Sequence, residues 1–246
     1  MSIKSRAEFE KLRAIGKIAR AALDAMAENV RAGITTAELD AIGADQLARY
    51  GAESAPPKTY GFPKAVCISV NDEAIHGIPK NRVLQAGDLV KLDLVAEKDG
   101  FFADSALTVR VGDVSPMADA LVRCAENAFW QATKAARAGN RSRDIGGAVE
   151  HEVRRCGFSV MKELCGHGVG RAIHEEPSIP NFRDPRSRTR LTEGLVITIE
   201  PIIAAGNGKA ELMNDRWTVA SADRSLTAHY EHTIVITNSN PIVLTS

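Results

Sequence analysis

The sequence predicts an α+β fold, a largely antiparallel sheet with helices packed on one face. Three observations carry this expectation. Apolar residues recur at helical spacing in four segments, short strand-like runs follow each pair of such segments, and tight turns join neighbouring runs. Helix, helix, strands is thus read twice along the chain, a pseudo-two-fold repeat of pattern without repeated sequence. Low-complexity stretches and linkers are absent, so residues 1–246 are expected to form a single domain.

Each element has its own signal. Ser5-x-x-Glu8 is a capping box that opens the first helix, and Phe9, Leu12, Ile15, Ile18 and Leu23 continue it until Gly33. Thr35-x-x-Glu38 opens a second helix carrying Leu39, Ile42 and Leu47, stopped near Gly51. A Pro/Gly-rich loop is expected over 55–63. Strand-like runs follow at 65–70, 89–97 and 101–111, the last two joined by Lys98-Asp99-Gly100, a hairpin signal. The order then restarts. One helix is expected from Ser115 to about 137, a second from Ser142 to Cys156, and strands at 159–164, 194–200, 216–221 and 230–237.

Composition excludes several classes of function. A chain of 246 residues with 44% apolar content can bury a core without disulfides. Lys plus Arg and Asp plus Glu are 31 each, whereas a dedicated nucleic-acid binder carries a basic excess. Cys67, Cys124, Cys156 and Cys165 form no C-x-x-C pair, which fits reduced thiols in a cytoplasmic protein rather than a zinc knuckle. The N-terminus is charged, and no run approaches the length needed to span a membrane. Nothing in the pattern demands a second copy, so a monomer is expected.

Four carboxylates and one histidine stand where such groups are poorly explained. Asp93 lies in the apolar run LVKLDLVA and Asp104 in GFFADSALTV on the partner strand. A hairpin can set the two side by side, where they repel unless a proton or cation lies between them. Glu200 ends VITIE before Pro201, which stops the ladder, and Glu231 precedes the apolar run TIVIT. His167 sits in GHGVG, where glycines on both sides permit close backbone approach. Each residue alone reads as an edge charge or a structural group. Together, Asp93, Asp104, His167, Glu200 and Glu231 are mostly hard donors suited to Mn, Fe, Co or Zn. Five ligands are too many for one hydrolytic zinc and suit two ions bridged by carboxylates. No H-E-x-x-H or G-x-S-x-G is present, and no helix start follows GHGVG to make it a phosphate loop.

The motifs VCISVNDEAIHGIP, KLDL with GFFADSA, CGHGVGRAIHEEP, ITIEP and YEHTIVIT occur in this order. In order and spacing the chain resembles the bacterial type I methionine aminopeptidases of the pita-bread metallopeptidase family, from the first helix to about Thr237. The resemblance implies a curved sheet with helices on its outer face. It implies a cytoplasmic hydrolase that removes the N-terminal methionine of nascent proteins, preferring a small second residue. Asp93, Asp104, His167, Glu200 and Glu231 match the family's metal ligands, with Asp104 and Glu231 at the bridging positions. Two divalent cations would acidify a water for attack on the first peptide bond, with Glu200 moving its proton. His76 matches a contact to the scissile amide, and His174 one to the carbonyl oxygen. Phe62, Cys67, His76, Ile173, His174 and Trp217 match substrate-binding positions.

Some positions depart from the pattern. Ile173 stands where close relatives carry phenylalanine, and Thr59 and Pro56 where many carry tyrosine and cysteine. Loss of two aromatic walls predicts a wider or weaker slot for the methionine side chain. The basic stretch 183–190 reads as a solvated loop, with transient contact to the ribosome as its second reading. Relatives acting on X-Pro bonds, and non-catalytic binding proteins of the same fold, are the competing expectations. The first usually carry a large N-terminal domain and the second typically lose ligands.

Overall fold

A computed structural model describes residues 1–246. Five helices form: α1 (Arg6–Asn29), α2 (Thr36–Arg49), α3 (Ala55–Tyr60), α4 (Pro116–Ala135) and α5 (Ser142–Arg155). The cap signals act locally. The Thr35 hydroxyl accepts from the Glu38 N–H at 3.1 Å while the Glu38 carboxylate accepts from the Thr35 N–H at 2.8 Å. At α1 the reciprocal bond is displaced by one residue. Ser5 caps Glu8, but Glu8 reaches back to the N–H of Lys4 at 2.7 Å. The expected loop at 55–63 contains α3, because Pro56 and Pro57 occupy first-turn positions where a missing N–H breaks no bond.

Nine strands make the main sheet, and all its ladders are antiparallel. Its central order is Leu89–Lys98, Phe101–Arg110, Glu231–Val235, Val196–Ile199, Cys165–Gly168 and Glu175–Pro180, with Cys67–Val70 flanking Leu89–Lys98. The hairpin closes with Lys98 opposite Phe101. Asp99 and Gly100 both take positive φ, 53° and 74°, the conformation a two-residue turn between twisted strands requires.

Two cores of similar size lie under the helices. One contains 26 buried residues, among them Leu12, Leu23, Leu39, Leu92 and Leu94. The other contains 23, among them Phe129, Ile145, Val149, Ile197 and Ile234. Strand alternation does the rest. Leu92 and Leu94 bury against the first core, so Asp93 and Val95 point to the opposite face. Ile197 and Ile199 bury against the second, which turns Thr198 and Glu200 the same way. The polar face of the sheet is therefore a consequence of how its apolar face is covered.

Several strands differ from the expectation. Of 159–164 and 216–221 only Ser159–Val160 and Val219–Ser221 pair, because turns close at Leu164 N–H to Met161 C=O and at Arg216 N–H to Met213 C=O. Cys165–Gly168 and Glu175–Pro180 pair although neither shows alternation. Here glycine replaces pattern. A Cβ on Gly166 would lie 2.7 Å from the Thr198 carbonyl oxygen, and one on Gly168 2.3 Å from that of Glu176.

Candidate metal centre

Five neighbouring strands each aim one ligand-type side chain at the same face. Asp93 pairs with Ala106, and Asp104 lies two residues along that strand, so the two carboxylates are diagonal neighbours. Glu231 also pairs with Ala106 from the other side. His232 opposite Ile199 brings Glu231 and Glu200 to adjacent ends of their strands. His167 closes the arc, with its Nε2 3.7 Å from Asp104 Oδ2 and 3.5 Å from Glu200 Oε1.

Hydroxyls fix the backbone and the rotamers. Thr198 Oγ1 accepts from the His167 N–H at 3.1 Å and donates to Glu200 Oε1 at 3.0 Å. Thr233 Oγ1 accepts from the Asp104 N–H at 2.9 Å and returns a bond to its carbonyl at 2.8 Å. His167 Nδ1 lies 2.9 Å from the Gly168 carbonyl, which leaves Nε2 facing the carboxylates.

The electrostatics are those of a site built for cations. Burial, then the charges of Glu231 and Asp93, drives the Asp104 carboxyl well above its ordinary range. Burial and the charges of Glu231, Asp104 and Asp93 do likewise for Glu200, and burial with Asp93 for Glu231. Burial lowers His167 to about 4, so the imidazole is neutral near pH 7. Asp104 Oδ1 and Glu231 Oε1 are buried with no hydrogen-bond partner. Unpaired buried carboxylate oxygens are costly, and a divalent cation is the partner that satisfies several at once. The donor set of carboxylates and imidazole fits such an ion. Two triads, Asp104–His167–Glu231 and Glu200–His229–Glu231, have their ligand atoms within 4.8 Å of one another.

Every site residue expected from the sequence borders a cavity of about 240 Å³ over this cluster. Phe62 and Trp217 meet edge to face at 5.2 Å, Cys67 lies directly across from Asp93, and Ile173 is buried at 2% exposure. His76 holds a positive φ of 57°, uncommon for a residue with a side chain. His174 is exposed, with its ring centroid 4.1 Å from that of His167 and its Nδ1 2.6 Å from the Tyr60 hydroxyl.

Four lining residues were not anticipated from the sequence: Tyr60, Ile75, Val95 and His229. Tyr60, not Thr59, reaches the cavity, so an aromatic ring still borders it. The expectation of two lost aromatic walls is corrected to that extent, because Tyr60, at the end of α3, borders the cavity beside His174. Val95 was legible, since it shares a strand face with Asp93 at a period of two. His229 was not legible, because it ends a different strand from the one Glu231 begins and its own segment shows no signal.

Carboxylates and imidazole converging beneath a partly apolar slot define a metal-dependent hydrolase. A family model matches residues 10–238, and the chain belongs to metallopeptidase family M24. It is 44% identical to methionine aminopeptidase 2 of Bacillus subtilis, over all of this chain and 99% of that protein. Methionine aminopeptidase from Rickettsia prowazekii superposes with a TM-score of 0.96 at 35% identity, covering all of both chains. The enzyme from Thermotoga maritima does so with a TM-score of 0.96 at 33% identity, again over all of both. The α+β pita-bread expectation is met by these likenesses.

Proposed function

We propose that this chain hydrolyses the first peptide bond of nascent polypeptides and peptides that begin with methionine, releasing that residue when the second is small. The observation that carries the reading is the convergence of Asp93, Asp104, His167, Glu200 and Glu231 from five adjacent strands, beneath a slot formed by Phe62, Cys67, Ile173 and Trp217. Membership of a metallopeptidase family and likeness to methionine aminopeptidases along the whole chain support it.

In this reading Asp93, Asp104, His167, Glu200 and Glu231 would hold two divalent ions, and Glu231 belongs to both candidate triads. When bound, such ions acidify water and polarise a carbonyl. The protein's own groups do the rest. Glu200 accepts a proton from the attacking water and delivers it to the leaving nitrogen. Exposed His174, held through Nδ1 by Tyr60, donates from its other nitrogen to the oxygen where charge develops. His76 contacts the scissile amide, its direction set by the left-handed backbone. The slot is apolar and partly aromatic, which suits an unbranched, polarisable thioether.

No helix of the chain is long and apolar enough to cross a membrane. Four free cysteines fit a reducing cytoplasm, the compartment where new chains first expose their termini. Arg183, Arg186, Arg188 and Arg190 are exposed on one loop and would face the ribosome in a transient contact. Co-sedimentation at low salt, lost on replacing the four, tests that part separately.

The principal test loads metal-free protein with Mn, Fe, Co or Zn and incubates it with Met-Ala-Ser and Ala-Pro peptides. Release of methionine from the first is expected. Cleavage confined to the bond before proline, or no release with any metal, overturns the reading.

A further inference from the structure

His229 ends the strand Thr227–His229, in a small sheet packed beside the main one. Its backbone is clamped. The N–H donates to Thr108 Oγ1 at 2.9 Å, and the Thr108 hydroxyl donates to the His229 carbonyl at 2.8 Å. The ring is 1% exposed, and neither Nδ1 nor Nε2 has a hydrogen-bond partner. His232, equally buried, shows the ordinary solution, with Thr245 and Tyr230 hydroxyls on its two nitrogens at 2.8 and 3.1 Å. A packing histidine is satisfied in that way, since a buried polar atom without a partner loses its hydration for nothing.

The His229 ring is instead aimed at the carboxylates. Nε2 lies 3.3 Å from Glu231 Oε2 without hydrogen-bond alignment, and the ligand atoms of His229, Glu200 and Glu231 lie within 4.8 Å of one another. The ring also borders the cavity that holds Asp93. One cation among these atoms would satisfy an orphaned nitrogen and the orphaned Glu231 Oε1 together.

We infer that His229 is a further nitrogen ligand of the metal centre, which therefore carries two imidazoles, His167 and His229. The inference rests on the metallohydrolase reading and adds a sixth donor to it. A second imidazole raises the share of nitrogen donors, so the site favours Zn and Co over Mn more than a single-histidine site would.

X-ray absorption of the Co-loaded wild-type protein counts imidazoles, and equilibrium dialysis gives the stoichiometry and affinity. Two imidazoles per two Co ions are expected, falling to one in His229→Gln. Affinity for Co and Zn is expected to fall at least about 10-fold in that variant, with a smaller change for Mn. Melting of the metal-free variant reports whether it folds, and if it does not, the wild-type count decides alone. One imidazole in the wild type, or a count unchanged by the substitution, overturns the assignment of His229. If that protein still binds two ions and releases methionine, the reading of function stands. A wild-type protein that binds no divalent ion overturns both.

Discussion

The first half of the chain brings Asp93 and Asp104 to the site on one hairpin of two ten-residue strands. The second half needs three separate strands of four or five residues to place His167, Glu200 and Glu231. In the hairpin, register is set by a two-residue turn and maintained by ten consecutive pairs, so the carboxylates are held by local structure. The second half has little local register. His167 depends on glycines that let its strand approach Thr198 and Glu176, and Glu200 depends on the Thr198 hydroxyl. The same metal face is therefore local on one side and built from long-range contacts on the other.

The largest expected effect separates the two halves. Asp104→Asn removes a charge but no packing, and turnover is expected to fall by ~10³-fold or more. The melting temperature of the metal-free protein should stay the same or rise, because one of several repelling carboxylates is gone. Gly168→Ala on the other side drives a Cβ into the Glu176 carbonyl and is expected to lose stability, about 1–3 kcal/mol, together with activity. Activity assays beside thermal melts of both variants check this. A stable, active Gly168→Ala would break the contrast.

His174→Ala comes next. Turnover on Met-Ala-Ser is expected to drop about 10²–10³-fold with the metal-free melting temperature unchanged, since the side chain is exposed. An effect confined to KM would move His174 from the reacting oxygen to binding alone. Thr198→Val is gentler. It deletes the bonds to His167 and Glu200 while keeping volume, and metal affinity by dialysis is expected to weaken about 10–100-fold. Thr233→Val on the hairpin side should do less, because the ladder already holds Asp104.

The smallest effect is one of pH. Metal-free, Asp104, Glu200 and Glu231 keep their protons to higher pH when folded than when unfolded, where such acids ionise near pH 4. Folding then takes up protons above that pH. The contribution is intact below about pH 4 and is lost as pH rises through the folded values. The metal-free melting temperature is expected to decline as pH rises above the ordinary carboxylate range, less steeply in Glu231→Gln, and saturating metal should reverse the trend. An identical slope in wild type and variant would remove Glu231 from the buried cluster.

What the sequence made legible follows the same division. The capped helices and the 89–111 hairpin announce themselves through caps, periodicity and a turn with two left-handed residues, all local signals. Cys165–Gly168 and Glu175–Pro180 escape because their pairing comes from small residues and distant partners, which no window along the chain displays. The candidate ligands could be picked out because a carboxylate inside an apolar run is anomalous wherever it lies. Tyr60 and His229 escaped because nothing in their own segments is anomalous, and only the cavity reveals what they face.

Asp93, Asp104, His167, Glu200 and Glu231 are proposed to clasp a pair of ions. Anomalous diffraction from crystals of Co-loaded protein tests it most directly. Two peaks about 3.5–4 Å apart, enclosed by these five side chains, are expected. Peaks lying elsewhere, or none among these residues at saturating cobalt, would contradict it.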